Sequence, residues 1–233
     1  MRFNDIAWAA FLDWYLAGKN NKYVRLFANK HLVYALRAQP SSVDFKDFYN
    51  KVVSDFLNSW GRMFIREETA RDIYTAITDM NPFIIQIRGE SLLECDLTDD
   101  GGVCGVIHKI YERLSDIWGI NMTGISKIAH ILNDSLFVLI DNNIREEYKK
   151  VYGISKSAEG YINWMRMMQA QAKEVVADFY MQGFTGSPEI FLSHQLGYDS
   201  EGCIKSIAKF LDEYYWLTIT HGVPIPPKWI PNK

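Results

Sequence analysis

The stretch from residue 43 to residue 60 constrains the fold most. Phe45, Phe48, Tyr49, Val52, Val53, Phe56, Leu57 and Trp60 recur at spacings of three and four, which gathers them on one face of a helix. A strand would scatter the same residues over both of its faces. Ser41 or Ser42 is placed to cap this helix and Gly61 to end it. Most of the chain repeats the pattern. Ile6 to Leu16 is apolar at nearly every position and reads as a well-buried helix, with Asn4 or Asp5 as cap and Gly18 as stop. Residues 22–38 read as one helix with Tyr23, Leu26, Phe27, Leu32, Val33 and Leu36 inward, closed by Pro40. Glu67 to Met80, Val106 to Trp118, Asn142 to Tyr152, Ser157 to Tyr180 and Gly202 to Leu217 follow suit. Phe83 to Ile87 fits a strand or a helix equally. Asp96 to Gly105 reads as an acidic, turn-rich loop, Gly183 to Pro188 as a loop, and the tail from His221 as extended and proline-rich. The class is all-α: one compact, two-lobed domain over 1–233 with about ten helices and possible lobes 1–105 and 106–233.

Composition bounds the function. Apolar residues make up 48% and aromatics 14%, enough for a large core and too many for a disordered chain. The formal charge of −3 argues against strong general affinity for nucleic acid, which grows with the number of phosphates neutralised. A local basic face escapes that argument. Cys95, Cys104 and Cys203 are odd in number and form no CxxC, which favours thiols in a reducing compartment. No apolar run is long enough to span a bilayer, and the first residues do not read as a secretion signal. The expectation is a cytoplasmic protein without a membrane partner.

Chemistry concentrates between Ile117 and Arg145. A helical run ends at Trp118, and a short connection from Gly119 to Gly124 leads into a second apolar run, Ile125 to Leu132. Phe137-Val138-Leu139-Ile140 follows, and Asp141 opens the next helix. The start of a helix offers unpaired N–H groups and the positive end of a dipole, so it favours anions. Thr123 is placed to cap the second helix, with Ser126 and Lys127 in its first turn. A phosphate bound there would meet Gly119, Thr123, Gly124, Ser126 and Lys127. An ordinary helical connection with a threonine cap explains the same residues. Asp141 is equally explained as an N-cap that accepts from the N–H of Asn143 or Ile144.

This segment resembles the helix-hairpin-helix DNA glycosylase superfamily over about 30 residues. Ile117, Gly119 and Ile120 are similar to its first turn, Ser126-Lys127-Ile128-Ala129 to the start of its second helix, and Asp141 to Arg145 to its acid and the turn that follows. The segment also looks like prokaryotic proteins that share a GxSKxxH…LF…D pattern. The resemblance implies a hairpin that holds a DNA phosphate and an aspartate, Asp141, that works at a flipped nucleotide. Three departures stand out. The glycines lie five apart rather than two. Trp118 stands where the superfamily has proline. Lys127 and Asp141 are closer in sequence than in members with a lysine nucleophile, which argues against that role for Lys127.

Other groups were weighed in the same way. His130 lies three residues after Lys127, on the same helix face, and would orient a general base if it met Asp141; a half-buried structural histidine is the plainer reading. Lys19, Lys22, Arg25, Lys30 and Arg37 fall in a stretch, 14–43, that contains no acid and is interleaved with Tyr23, Phe27 and Tyr34. Lys22, Arg25 and Lys30 are therefore candidates for a nucleic-acid contact. Cys104 and His108 lie four apart, but no further metal ligands can be assigned, so no metal and no cofactor are expected. Trp164, Met165, Met167 and Met168 read as packing, and Lys205, Lys209, Asp212 and Glu213 as surface ion pairs of little worth. Phosphate-binding loops, hydrolase elbows and kinase signatures are missing from the sequence. Three readings follow: a DNA-binding protein of glycosylase-like architecture, a non-catalytic scaffold that binds a protein partner, and a small-molecule enzyme that uses His130 and Asp141.

Overall fold

The computed structural model describes residues 1–18, 21–60, 62–98 and 101–226, with Trp60 described by its backbone alone. Lys19 of the basic stretch, Gly61, Asp99, Asp100 and the tail from residue 227 lie outside the described residues. Within them the chain is all-α, with twelve helices and no strand. In chain order these are α1 (Phe3–Ala17), α2 (Lys22–Ala28), α3 (Lys30–Ala38), α4 (Phe45–Asp47), α5 (Glu67–Asp79) and α6 (Asn81–Gln86). There follow α7 (Val103–Ser115), α8 (Met122–Leu132), α9 (Asn142–Tyr152), α10 (Ala158–Met181), α11 (Pro188–Gln195) and α12 (Ile207–Tyr215). Two helices widen to π-helical bonding: α4 runs on through Phe48–Trp60, and α12 through Trp216–Thr220.

Local polar chemistry explains where the helices differ from their sequence patterns. Residues 22–38 form two helices because Asn29 ends α2 and also accepts from the Leu32 N–H at 3.3 Å to cap α3. Asp44, not Ser41 or Ser42, caps α4 through the Lys46 and Asp47 N–H groups. Ser41 and Ser42 lie instead in a 3-10 turn, Pro40–Ser42. Residues 83–86 are helical, with Pro82 in the first turn of α6, where its missing N–H costs nothing. Pro188, read from the sequence as loop, opens α11 behind a Ser187 cap.

One buried cluster runs from Phe3 to Tyr215. The N-terminal helix α1 packs on α12 and α10, so the two ends of the chain meet in the core. The first half of α1, Phe3 to Ala10, is buried, but Phe11, Trp14, Tyr15 and Leu16 are exposed. That corrects the expectation of a well-buried helix: α1 is apolar beyond the length that its neighbours cover.

The segment from Phe137 to Ile140 is buried and extended, and no strand pairs with it. Buried backbone carbonyls need partners, and here side chains supply them. The Phe137 carbonyl accepts from His130 Nδ1 at 2.6 Å, Val138 from the Tyr161 hydroxyl at 2.9 Å, and Leu139 from Trp164 Nε1 at 3.2 Å. The Ser126 hydroxyl lies 3.4 Å from the Ile140 carbonyl and accepts from the Ile140 N–H at 3.2 Å. Three carbonyls in a row are thus held from α8 and α10, and Ser126, whose one hydrogen goes to the Thr123 carbonyl at 2.9 Å, holds the fourth residue by its N–H. This strap delivers Asp141 to its position.

Candidate functional site

A cleft of about 600 Å³ opens between α1, α2, the turn at 62–65, α8, the strap and α12. Lys22, Arg62, Lys127 and Lys209 line it, as do Asp13, Asp141, Asp212 and Glu213. Trp216, Thr220 and His221 close one side.

Asp141 does two things at once. Its Oδ1 accepts from the Ile144 N–H at 2.8 Å, which is the N-cap expected from the sequence. Its Oδ2 accepts from the Thr220 hydroxyl at 2.5 Å, and the carboxylate lines the cleft. The cap and the strap fix the carboxylate from the protein side, and Thr220 from the side of the wide helical turn after α12.

Lys127 reaches the same cleft from the second turn of α8. Burial lowers its pKa below the ordinary lysine value, and Lys209 and Arg62 add to the effect, while Asp212 and Asp141 pull it back up. The sequence assigned Lys127 to a phosphate at the hairpin. Its side chain instead lines the cleft with Asp141.

The connection before α8 differs from the expected phosphate turn. Asn121, not Thr123, caps α8 by accepting from the Gly124 N–H at 3.1 Å. Gly119 is exposed and turns the chain with φ +84°, a conformation that suits glycine. Gly124 is a packing glycine: a Cβ there would meet the Met63 Cε at 2.5 Å. Ser126 is fully buried, and its hydroxyl bonds within the protein to Thr123 and Ile140 rather than facing a phosphate. Of the five residues read as a phosphate cradle, Gly119 is exposed and Thr123 half-buried, while Gly124 and Ser126 are covered and Lys127 faces the cleft.

His130 does not meet Asp141. It is fully buried between Tyr23, whose hydroxyl lies 2.9 Å from Nε2, and the Phe137 carbonyl. A carbonyl only accepts, so Nδ1 carries the proton and Nε2 receives the Tyr23 O–H. Burial pushes the His130 pKa down to about 4, and the ring is neutral. The proposed His130–Asp141 pair is therefore corrected: His130, a turn further along α8 than Lys127, lies beyond the cleft and is held in the core by Tyr23 and Phe137.

The basic stretch also divides. Lys22 lines the cleft, while Arg25 and Lys30 are exposed on α2 and α3. Lys22 and Arg25 also border a small depression of about 120 Å³ with Lys51 and Asp55. Arg37 is structural: it donates to the Ile131 carbonyl at 2.9 Å and pairs with Asp134 at 2.7 Å. Tyr23 and Phe27 are core residues, stacked with ring centroids 4.4 Å apart.

Two parts of the site were not anticipated. The first is the turn at 62–65. Arg62 and Phe64 both have left-handed backbone, φ 54° and 57°, although neither is glycine. Such a conformation costs about 1–2 kcal/mol per residue. Asn58 holds it by bonding both the N–H and the carbonyl of Ile65, at 2.6 and 2.9 Å. The turn sets Arg62 at the cleft, Met63 on Gly124, and Phe64 in solvent.

The second is the wall made by α12 and by Lys205 just ahead of its cap. Lys205, Lys209, Asp212 and Glu213 are buried, which corrects the reading of surface ion pairs. Lys205 Nζ donates to Glu213 Oε1 at 2.6 Å and to the Tyr198 hydroxyl at 2.9 Å, and Lys209 Nζ donates to Asp212 at 2.6 Å. Asp13 of α1 lies 3.5 Å from Lys205. Burial opposes the charge on both lysines, but Glu213 and Asp13 outweigh it at Lys205, and Asp212 and Glu213 at Lys209, so both pKa values are raised. Three acids face two lysines, and burial, with Asp13 nearby, pushes the Glu213 carboxyl up to about 7 against the pull of both lysines.

Among the described residues, no group of three or more histidine, cysteine, aspartate or glutamate side chains is placed to hold a metal, and His108 pairs with Glu112 at 3.2 Å. Cys95, Cys104 and Cys203 are buried free thiols. No helix among the described residues is long and apolar enough to cross a membrane. Comparison with protein-family models, with curated proteins and with solved structures finds no match to this chain.

Proposed function

We propose that the cleft receives a nucleotide turned out of a nucleic-acid strand and that the protein excises its base. One observation carries this reading: Lys127 and Asp141, far from the same turn in sequence, line one cleft, and burial lowers the pKa of the amine. A lysine amine attacks only without its proton, and burial shifts Lys127 in that direction; a fixed carboxylate in the same cleft stabilises positive charge that develops on a sugar as its base leaves. In this reading, which sets the shared cleft above the short spacing that argued against a lysine nucleophile, the Lys127 nitrogen adds to C1′ and loses a proton. The bond from C1′ to the base breaks, and the base leaves with the bonding electrons and takes a proton from solvent. Lys22 and Arg62 at the cleft attract the strand despite the net negative charge of the chain.

The test uses oligonucleotides that carry an abasic aldehyde, with borohydride present. A lysine that attacks C1′ forms an imine, and reduction locks it as a protein–DNA adduct. Wild type forms the adduct and Lys127→Gln abolishes it, while Asp141→Asn still forms it but slows base release from an intact nucleotide about 100-fold or more. An adduct of equal yield in Lys127→Gln sinks the nucleophile. Absence of salt-dependent DNA binding sinks the reading altogether.

A protein partner is the second reading, favoured by one feature. Phe11, Trp14, Tyr15 and Leu16 expose a continuous apolar flank on α1, 41–69% open to solvent. A Trp14→Glu, Tyr15→Glu variant that leaves the oligomeric state and the DNA affinity unchanged counts against it.

A further inference from the structure

The cleft contains an unsatisfied acceptor. Glu213 lines it and is 1% exposed, and its Oε1 is taken by Lys205. Its Oε2 has no hydrogen-bond partner and is the one buried carboxylate oxygen in that condition among the described residues. A buried polar atom left unpaired is costly, and folds keep such atoms mainly where something else completes them. Asp212 and Asp13 flank the same wall. Lys22, Arg62 and Lys127 line the same cleft, as do Lys209 and Asp141. The lining thus carries both signs, and the acceptor left without a partner belongs to Glu213. The cleft's occupant can bring an anionic group to the cations and N–H donors to Glu213.

We propose that the wall of Asp13, Asp212 and Glu213 is a receptor for an exocyclic amino group, so that the cleft prefers amino-bearing nucleobases to bases without one. This rests on the nucleotide reading above and deepens it. A phosphate sits toward Lys22 and Arg62, and the amino N–H groups point at Glu213 Oε2. Unlike a ring carbonyl, an amino group satisfies that oxygen whenever the carboxylate is ionised. The charged and titratable groups that face Glu213 are Lys205, Lys209 and Asp13, with Cys203 and Tyr198 nearby. None of them supplies a hydrogen to Oε2.

The experiment compares two probes on the intact chain. One is a short single-stranded oligonucleotide with a single 2-aminopurine, and the other is its twin with unsubstituted purine. The free ribosides of the same two bases form a parallel pair. Wild type should bind each amino-bearing probe about tenfold more tightly than its twin, as one charge-assisted hydrogen bond implies. Glu213→Gln should erase the preference. Lys205 needs the remaining oxygen, so the amide nitrogen occupies the Oε2 position and presents a donor to a donor. The preference of wild type is itself decisive, so a variant that fails to fold does not blunt the test. Equal binding of the twins by wild type overturns the proposal and leaves the nucleic-acid reading standing. A preference among ribosides with no oligonucleotide binding supports the receptor and sinks the nucleic-acid reading. No binding of any probe overturns both.

Discussion

The two walls of the cleft hold their chemistry by opposite means. On one side, Lys127 and Asp141 stand on α8 and on the strap, and neutral hydrogen bonds to three consecutive carbonyls and to the Ile140 N–H keep that frame in place. On the other side, α12 and Lys205 just ahead of its cap place two lysines and two acids in the core, and they hold one another by charge. The neutral frame costs little to build, because each donor meets an obligatory acceptor. The ionic wall must repay the dehydration of every charge it contains. The neutral side is therefore built for placement, and the ionic side is where a small change upsets the balance.

Breaking the ionic wall should have the largest effect. Lys205→Met leaves Glu213 and Asp13 without their nearest cation and should cost about 3–5 kcal/mol in denaturant unfolding. Adding Glu213→Leu should recover most of that loss, since paired removal of buried ions is often nearly neutral. If the double variant is as unstable as the single one, the wall owes its stability to packing rather than to charge.

The second test separates the walls by pH. The folded pKa of His130 is depressed to about 4 from 6.5, so its contribution is complete above 6.5. It is lost as pH falls through this window, because the unfolded chain takes up the proton first. The loss should reach about 3 kcal/mol. Glu213 has the opposite sign: its pKa is raised to about 7 from 4.5, so its contribution is complete below 4.5 and disappears as pH rises through 7. The stability of His130→Gln should be flatter with pH on the acid side, and that of Glu213→Gln flatter on the neutral side. Parallel profiles for wild type and His130→Gln would remove the histidine from the account.

Smaller effects test the neutral frame. Tyr161→Phe leaves the Val138 carbonyl unpaired in the core and should cost about 1–3 kcal/mol. At Asp141 two substitutions divide structure from chemistry. Asp141→Ala removes the cap of α9 and should lower stability by about 1 kcal/mol. Asp141→Asn still caps and should change stability by only a few tenths of a kcal/mol. A large stability loss in Asp141→Asn would mean that the contact with Thr220, rather than the cap, anchors the strap.

Much of the neutral wall was legible in the sequence. The run from Gly119 to Asp141 announced a turn, a helix, an apolar segment and a capping acid, and Asp141 does cap α9. Each of these depends on residues within a turn or two of one another. The role of Lys127 was not legible, because the cleft it lines is made by helices distant in sequence, and so is the Tyr23 contact that holds His130 in the core. Asn29 was missed as a helix boundary because the apolar pattern continues on both sides of it.

The chain by itself determined the all-α class, most helix positions and the acid at the head of α9, because periodicity and caps act over a few residues. Tertiary structure alone decided the fate of Lys205, Lys209, Asp212 and Glu213. Their spacing on a helix is that of an ordinary solvated face, and nothing local distinguishes a surface pair from a buried one. What buries them is α1, nearly 200 positions away in the chain, which packs along α12 and brings Asp13 to Lys205. Helix packing likewise brings Lys22 and Arg62 into one cleft with these acids, because a cleft belongs to the packed helices and not to any one of them.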